Sequence, residues 1–311
     1  MNSIRKIAVV TGGRSEERDR SLLSGKAVHE ALARMGIAHT VLDASAPEFV
    51  ENVKGADLAF MAIAGQYSED GKLQGLLDSL GTPYTGSGVL ASALGMHKPT
   101  AKQLVHAAGV PVLPHLIAQS GDDPRLVADQ VAQCLGFPVI VKPASEGGSI
   151  GMTIIRETGA LAAAIGDGRE WLIEPFVTGT AVTCGIITRD GRTEALPPLE
   201  TLPTDAEFYD YRAKRNPDGH RYRCPAELPP STIKAIQDAA VKAHDALSCH
   251  GYSSSDFMVT ATGELHWLEI NTLPGLSPQG NLATMANAAG YSYDQLIGMI
   301  IASAHRDGYR P

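Results

Sequence analysis

The stretch that most narrows the possible folds is the run 6–10, short, apolar and β-branched, which breaks at Thr11, Gly12 and Gly13. An unbroken apolar run suits a strand buried on both faces, as in a parallel sheet covered by helices. The glycine turn then leads into a helix expected over 21–35, with further strands expected at 39–42 and 58–63. The first third therefore reads as βαβ-like, an α/β unit.

The pattern changes in the middle of the chain. A helix is expected over 98–108 and a strand over 137–142, which enters the small-residue stretch Ala144, Ser145, Glu146, Gly147, Gly148, Ser149, Ile150, Gly151. A strand at 152–155 leaves it, followed by a helix at 159–165 and a strand at 171–174. Two strands around a glycine-rich hairpin predict a small α+β domain. The last third returns to a larger unit, with a helix over 231–247, strands at 257–259 and 266–270, and terminal helices from Leu282 and Tyr293.

A chain of 311 residues exceeds what one core usually serves, so two or three domains and a cleft between them are expected. Its formal net charge of -8 argues against nucleic acid or an anionic membrane as partner, since both draw affinity from basic surfaces. Small-molecule chemistry is favoured. Cys134, Cys184, Cys224 and Cys249 form no CxxC or CxxH pair and are read as reduced thiols. No run reaches the roughly 18 apolar residues of a membrane span, and a cytoplasmic location is the default expectation.

Four groups of residues carry candidate chemistry. Asp256 precedes one late strand, and Glu269 and Asn271 sit two apart on the next, so a hairpin through Ala261, Thr262 and Gly263 would bring three oxygen donors to one face. Hard oxygen donors suit magnesium, which keeps water and phosphate in its remaining positions; the alternative is an edge hairpin with solvated carboxylates. In the loop Glu146 to Gly151, backbone N–H groups would wrap phosphate, or the loop is only a tight turn, for it lacks the GxxxxGK[ST] pattern. Lys142 before that loop and Lys98 at the head of a helix would reach phosphates, or each is an ordinary solvated lysine. The segment 171–177, a strand ending at Glu174 and a hinge of Pro175, Phe176 and Val177, would offer backbone groups to adenine, or it is a plain core strand. Beyond Asn271 the turn Thr272, Leu273, Pro274, Gly275 runs towards a helix, where the Gly275 N–H would approach a substrate oxygen, or the turn is a routine strand-to-helix connection.

Together these residues resemble one family. The series Gly12 to Glu17, Glu69 to Gly75 and Pro83 to Gly88 is similar to the N-terminal domain of the D-alanine:D-alanine ligases. The likeness continues through 139–152, Phe208 to Tyr211, Cys224 to Ala226, and Glu269 to Gly275. The resemblance implies a three-domain ATP-grasp fold, divided near 1–95, 96–180 and 181–311, with ATP held between two small antiparallel sheets. It implies an ATP-dependent ligase that activates a carboxylate as an acyl phosphate for attack by an amine. Lys98, Lys142 and the loop from Glu146 through Ser149 to Gly151 would hold the phosphates, with Glu174 to Val177 as the adenine hinge. Asp256, Glu269 and Asn271 would hold two Mg2+ ions, for which Mn2+ would substitute. Glu17 would bind the first substrate's amino group, and 208–214 would be a lid carrying Lys214. A homodimer is a further implication.

The departures from the family cluster at the substrate end. Ser254 stands where an arginine is usual, Arg215 where the lid has tyrosine, Gly148 where a serine would complete a triad with Glu17, and Ala64 and Gly280 where histidine and serine are usual. At the ATP end only Pro175 and Ala181 replace a lysine and a glutamate. Loss of one charge-assisted bond costs about 1.5 to 3 kcal/mol. The expectation is therefore a ligase for a substrate pair other than two D-alanines, with Arg215 as a replacement guanidinium; an authentic D-alanine:D-alanine ligase and a silent nucleotide-binding module are the alternatives.

Overall fold

The structure, a computed structural model, describes residues 6–148, 150–203 and 220–304. The opening run forms β1 (Ile7–Thr11), fully buried, and pairs in parallel with β2 (His39–Asp43) on one side and β3 (Leu58–Met61) on the other. Between β1 and β2 runs α1 (Arg18–Arg34), whose Ala27, Val28, Ala31 and Leu32 turn inward at helical spacing. Three short helices follow, α2 (Phe49–Lys54), α3 (Lys72–Leu80) and α4 (Val89–Met96), none of which stood out in the sequence.

Next, α5 (Lys98–Ala107) opens with Pro99 in its first turn, and the His97 side chain accepts the Thr100 N–H as a cap. It leads to an antiparallel sheet made of β4 (Leu116–Ala118), β5 (Val139–Pro143), β6 (Thr153–Ile155) and β7 (Trp171–Pro175), in the order β4-β7-β5-β6. The helices α6 (Pro124–Cys134) and α7 (Thr158–Ala164) cover it. The expected glycine hairpin is the β5–β6 connection.

The longest strand, β8 (Gly179–Arg189), was not anticipated, yet it is the middle of the third sheet. Its partners are β9 (Arg192–Ala195), β10 (Leu199–Pro203) and β12 (Tyr252–Thr260); β11 (His220–Arg223) extends the sheet beyond β10, and β13 (Leu265–Asn271) beyond β12. The helix α8 (Pro230–Ala246) packs against this sheet, and α9 (Asn281–Ala288) and α10 (Tyr293–Ala302) close the described chain. Because β12 lies between β8 and β13, the edge-hairpin alternative does not hold for Asp256; of the two hairpin strands, β13 alone lies at the sheet's edge.

Three apolar cores underlie the three sheets. The first joins β1, β3 and α1 to residues of α9 and α10, so the two ends of the described chain share one interior. The second lies between α5, α8 and the long sheet, and the third inside the small antiparallel sheet. All four cysteines are free, Cys184 buried and Cys134 exposed.

Candidate active site

A cleft of about 1050 Å3 opens where the three sheets converge. Its donor wall is built by strand register. On β12 and β13, Asp256 lies directly opposite Glu269 and Ser254 directly opposite Asn271, so all four side chains share one face of the sheet. A bulge after Asp256 shifts the register just beyond the donors. Thr183 Oγ1 on β8 donates to Asp256 Oδ1 at 2.6 Å, and the Asn271 side-chain oxygen accepts the Leu273 N–H at 2.8 Å, each fixing a rotamer. Two carboxylates and an amide oxygen are a hard donor set that fits Mg2+. Among the described residues no three His, Cys, Asp or Glu side chains converge as a metal cluster, so any cation here relies on the amide as third protein donor.

Facing this wall is the cationic side. Lys98 Nζ lies 3.9 Å from Glu269 Oε2 and also donates to the Glu146 carbonyl, linking α5, the glycine loop and β13. Lys142, on β5, is not the solvated lysine of the alternative reading: it is buried, with Nζ 2.8 Å from Glu174 Oε2. Burial favours its neutral form, but Glu174 and Glu269 outweigh this and raise its pKa. The Glu174 carboxyl is itself buried and does not line the cleft; Lys142 and Lys102 overcome the burial penalty and hold its pKa down at about 2. The cleft wall at the hinge is formed by Pro175, Phe176, Val177 and Thr178.

Glu146, Gly147 and Gly148 also line the cleft, while Gly151, at φ +72°, turns against Pro143. Gln66 Nε2 donates to Glu146 Oε1 at 2.7 Å, tying the loop to the first sheet's domain. Ser149, Lys214 and Arg215, with the rest of the expected lid, lie outside the described residues.

The substrate end holds two carboxylates side by side. A Cβ built at Gly147 would sit 3.1 Å from Glu17 Oε2 and 3.7 Å from Glu69 Oε2, and one built at Gly148 would sit 3.1 Å from Glu17 Oε1. Arg20 Nη1 pairs with Glu17 Oε1 at 2.6 Å. The Gly65 N–H donates to Glu69 Oε2 at 2.8 Å, a close approach that glycine at φ +88° allows. Burial, then the Glu17 charge, push the Glu69 carboxyl up to about 8.

Ser254 is buried in the same wall, and Ala64 and Gly280 line the cleft with it, so no side chain at these three positions carries a charge. Gly275 lines it too, held by the Leu276 N–H on Ser24 Oγ at 3.1 Å. The helix beyond this turn begins at Asn281, one residue from the expected Leu282 and six residues past Gly275. Gly275 therefore lies on an extended connection, and its N–H is not part of a helix N-terminus.

Sequence reasoning missed Lys102, Glu69, Arg20 and Thr183 as site residues. Lys102 carried a signal, since it follows Lys98 by one helical turn on the same face. Thr183 carried none, because its strand went unrecognised.

A model of the family described as "D-ala D-ala ligase C-terminus" matches residues 104–302. Over 313 aligned residues the chain is 42% identical to a D-alanine--D-alanine ligase of Syntrophobacter fumaroxidans, covering 97% of this chain and 98% of that protein. The chain belongs to the D-alanine:D-alanine ligase family. A family member from Geotalea uraniireducens is 40% identical, with 96% of each chain covered. Among solved structures, the VanG D-Ala:D-Ser ligase from Enterococcus faecalis superposes with a TM-score of 0.84 at 27% identity, covering 96% of this chain and 99% of that one. The Bacillus anthracis D-alanine:D-alanine ligase complexed with ATP gives 0.82 at 30% identity, covering 97% of each. The fold is thus the ATP-grasp fold, and the chain is an ATP-dependent ligase forming a C–N bond. Ligases of this family use ATP and Mg2+ and act on small amino-acid substrates. No helix among the described residues is long and apolar enough to cross a membrane.

Proposed function

We propose that this ligase phosphorylates a carboxylate with ATP and passes the acyl group to an amine, and that its substrate pair is not two D-alanines. The carrying observation is the contrast within one cleft. The nucleotide end keeps two cations and three oxygen donors in register, whereas the substrate end has uncharged Ser254, Gly148 and Gly280 beside the Glu17–Glu69 pair.

In this reading Lys98, Lys142 and the loop 146–151 with Ser149 hold the phosphates, while the backbone at Pro175 to Val177 receives adenine. Asp256, Glu269 and Asn271 hold Mg2+, two ions with Mn2+ as a substitute, and the bound cation neutralises phosphate charge. Glu17 takes the ammonium of the first substrate, and the Gly275 N–H supports its carbonyl oxygen. Lys214 and Arg215 approach from the lid, which excludes water from the acyl phosphate. The domains divide at 1–95, 96–180 and 181–311, and the enzyme works as a cytoplasmic homodimer.

A second reading, a D-alanine:D-alanine ligase with a rearranged pocket, is favoured by the printed activity of the relatives at 42% and 40% identity. Phosphate release measured over a panel of D- and L-amino acids, hydroxy acids and amines separates the two. Turnover with D-alanine alone that exceeds every other pair would overturn the first reading. Glu269→Gln is expected to abolish phosphate release with every substrate, and retained turnover in that variant would show the metal assignment to be wrong.

A further inference from the structure

Lys102, Glu174 and Lys142 form a charged group sealed from solvent: Lys102 and Glu174 are each 0% exposed, and Lys142 is 6% exposed. Lys102 Nζ stands 2.7 Å from Glu174 Oε1 and Lys142 Nζ 2.8 Å from Glu174 Oε2, so one carboxylate is shared between two ammonium groups. Breaking such a set by removing one partner is costly, because the charge left behind stays desolvated. Its retention in the interior calls for a reason other than stability, since apolar residues of the same volume would serve the core as well.

The geometry supplies one. Lys142 and Glu174 belong to the small antiparallel sheet, on β5 and β7, whereas Lys102 comes from α5. Lys102 Nζ also donates to the Trp267 carbonyl at 3.3 Å and lies 5.6 Å from that ring's centre. Trp267 is two residues before Glu269 on β13, and its indole N–H donates to Ser255 Oγ at 3.1 Å. One ammonium therefore grips the donor strand of the third sheet and, through Glu174, the phosphate-facing lysine of the second. Glu174 Oε2 accepts a hydrogen bond from Lys142 Nζ, while Oε1 meets Lys102 as an ion pair without a hydrogen bond, so the carboxylate anchors the Lys142 ammonium on one side and is itself held by the Lys102 charge on the other.

We propose that Lys102 is a positioning residue for nucleotide binding, acting through Glu174 to fix the Lys142 ammonium relative to the donor strand β13. The proposal rests on the reading above that Lys142 contacts phosphate. Burial lowers the Lys102 pKa and Glu174 works against that shift, whereas Glu174 and Glu269 together hold Lys142 charged, the form that answers an incoming phosphate.

The test is calorimetric titration of the full-length chain with ADP and with adenosine, each with Mg2+. If Lys102 acts on the phosphate end, Lys102→Met weakens ADP binding about tenfold or more while adenosine changes less than about twofold. Glu174→Gln gives the same pattern, and the double variant binds ADP no more weakly than the weaker single one, because the two residues act as a unit. Equal loss of ADP and adenosine marks a merely structural role and overturns the proposal, as does unchanged ADP affinity or a double variant whose loss is the product of the singles. Should Lys102→Met not fold, Lys102→Gln, which keeps a donor towards Glu174 without the charge, is judged on the same ratio. A wild-type chain that binds adenosine but gains nothing from the phosphates sinks the Lys142 reading instead, and is told apart by needing no variant at all.

Discussion

His244, on α8, is buried, and its Nδ1 lies 2.8 Å from Ser253 Oγ on β12. Burial, then the neighbouring His250, lower its pKa from 6.5 to about 4. A depressed histidine binds fewer protons folded than unfolded. Its stabilising effect is therefore fully present above pH 6.5 and is lost as the pH falls towards 4. At 1.36 kcal/mol per pKa unit the loss is on the order of 3 kcal/mol. Urea unfolding of wild type from pH 7 to pH 4 is expected to show this slope, and His244→Gln to flatten it; parallel curves for the two would contradict the assignment. At the same scale, Glu69 and Lys102 show how a residue acquires chemistry from its surroundings: neither is unusual in sequence, and each is remade by burial against a charge distant along the chain.

Among the elements, α1 and β1 show how close packing sets the substrate end of the cleft. Gly25 lies where α1 crosses β1, and a Cβ there would meet Thr11 Oγ1 at 2.3 Å. The Thr11 hydroxyl in turn donates to the Ser21 carbonyl at 2.6 Å, holding the helix to the strand. Alanine would gain about 1 kcal/mol of helix propensity. Overpacking against a buried strand costs about 1 to 3 kcal/mol. Gly25→Ala should therefore lower the melting temperature; a rise would show that the helix can lift from the strand freely. Expected helices and strands that lie in this region appear within a few residues of their positions, because the apolar spacing of α1 and the β-branched run of β1 are local signals. The short helices α2, α3 and α4 and the strand β8 were not legible. Gly179, Thr183 and Gly185 interrupt β8, and it becomes a strand by pairing with β9, β10 and β12.

For the whole molecule, the cleft lies between sheets with separate cores, so a ligand that bridges them should stabilise the assembly by mass action. MgADP at about a hundred times its Kd is expected to add about 2.7 kcal/mol and raise the melting temperature. Chelation with EDTA should cancel part of that rise in wild type and none in Glu269→Gln, where the metal contribution is already gone. A rise that ignores EDTA in wild type would place the nucleotide away from the Asp256, Glu269 and Asn271 wall. The shared interior of the first sheet with α9 and α10 means that both ends of the described chain contribute to this response.

By itself the sequence determined the strand pair with Asp256, Glu269 and Asn271 on one face, the lysine at 142 just before the glycine loop, and the family, because these depend on residue period and on motifs a few residues long. Only the tertiary structure decided that Glu17 and Glu69 crowd together beside Gly147 and Gly148, and that Glu174 turns from the hinge to join Lys102 and Lys142. Such contacts link positions dozens of residues apart, and the charge states they impose come from desolvation, which no local pattern of residue types encodes.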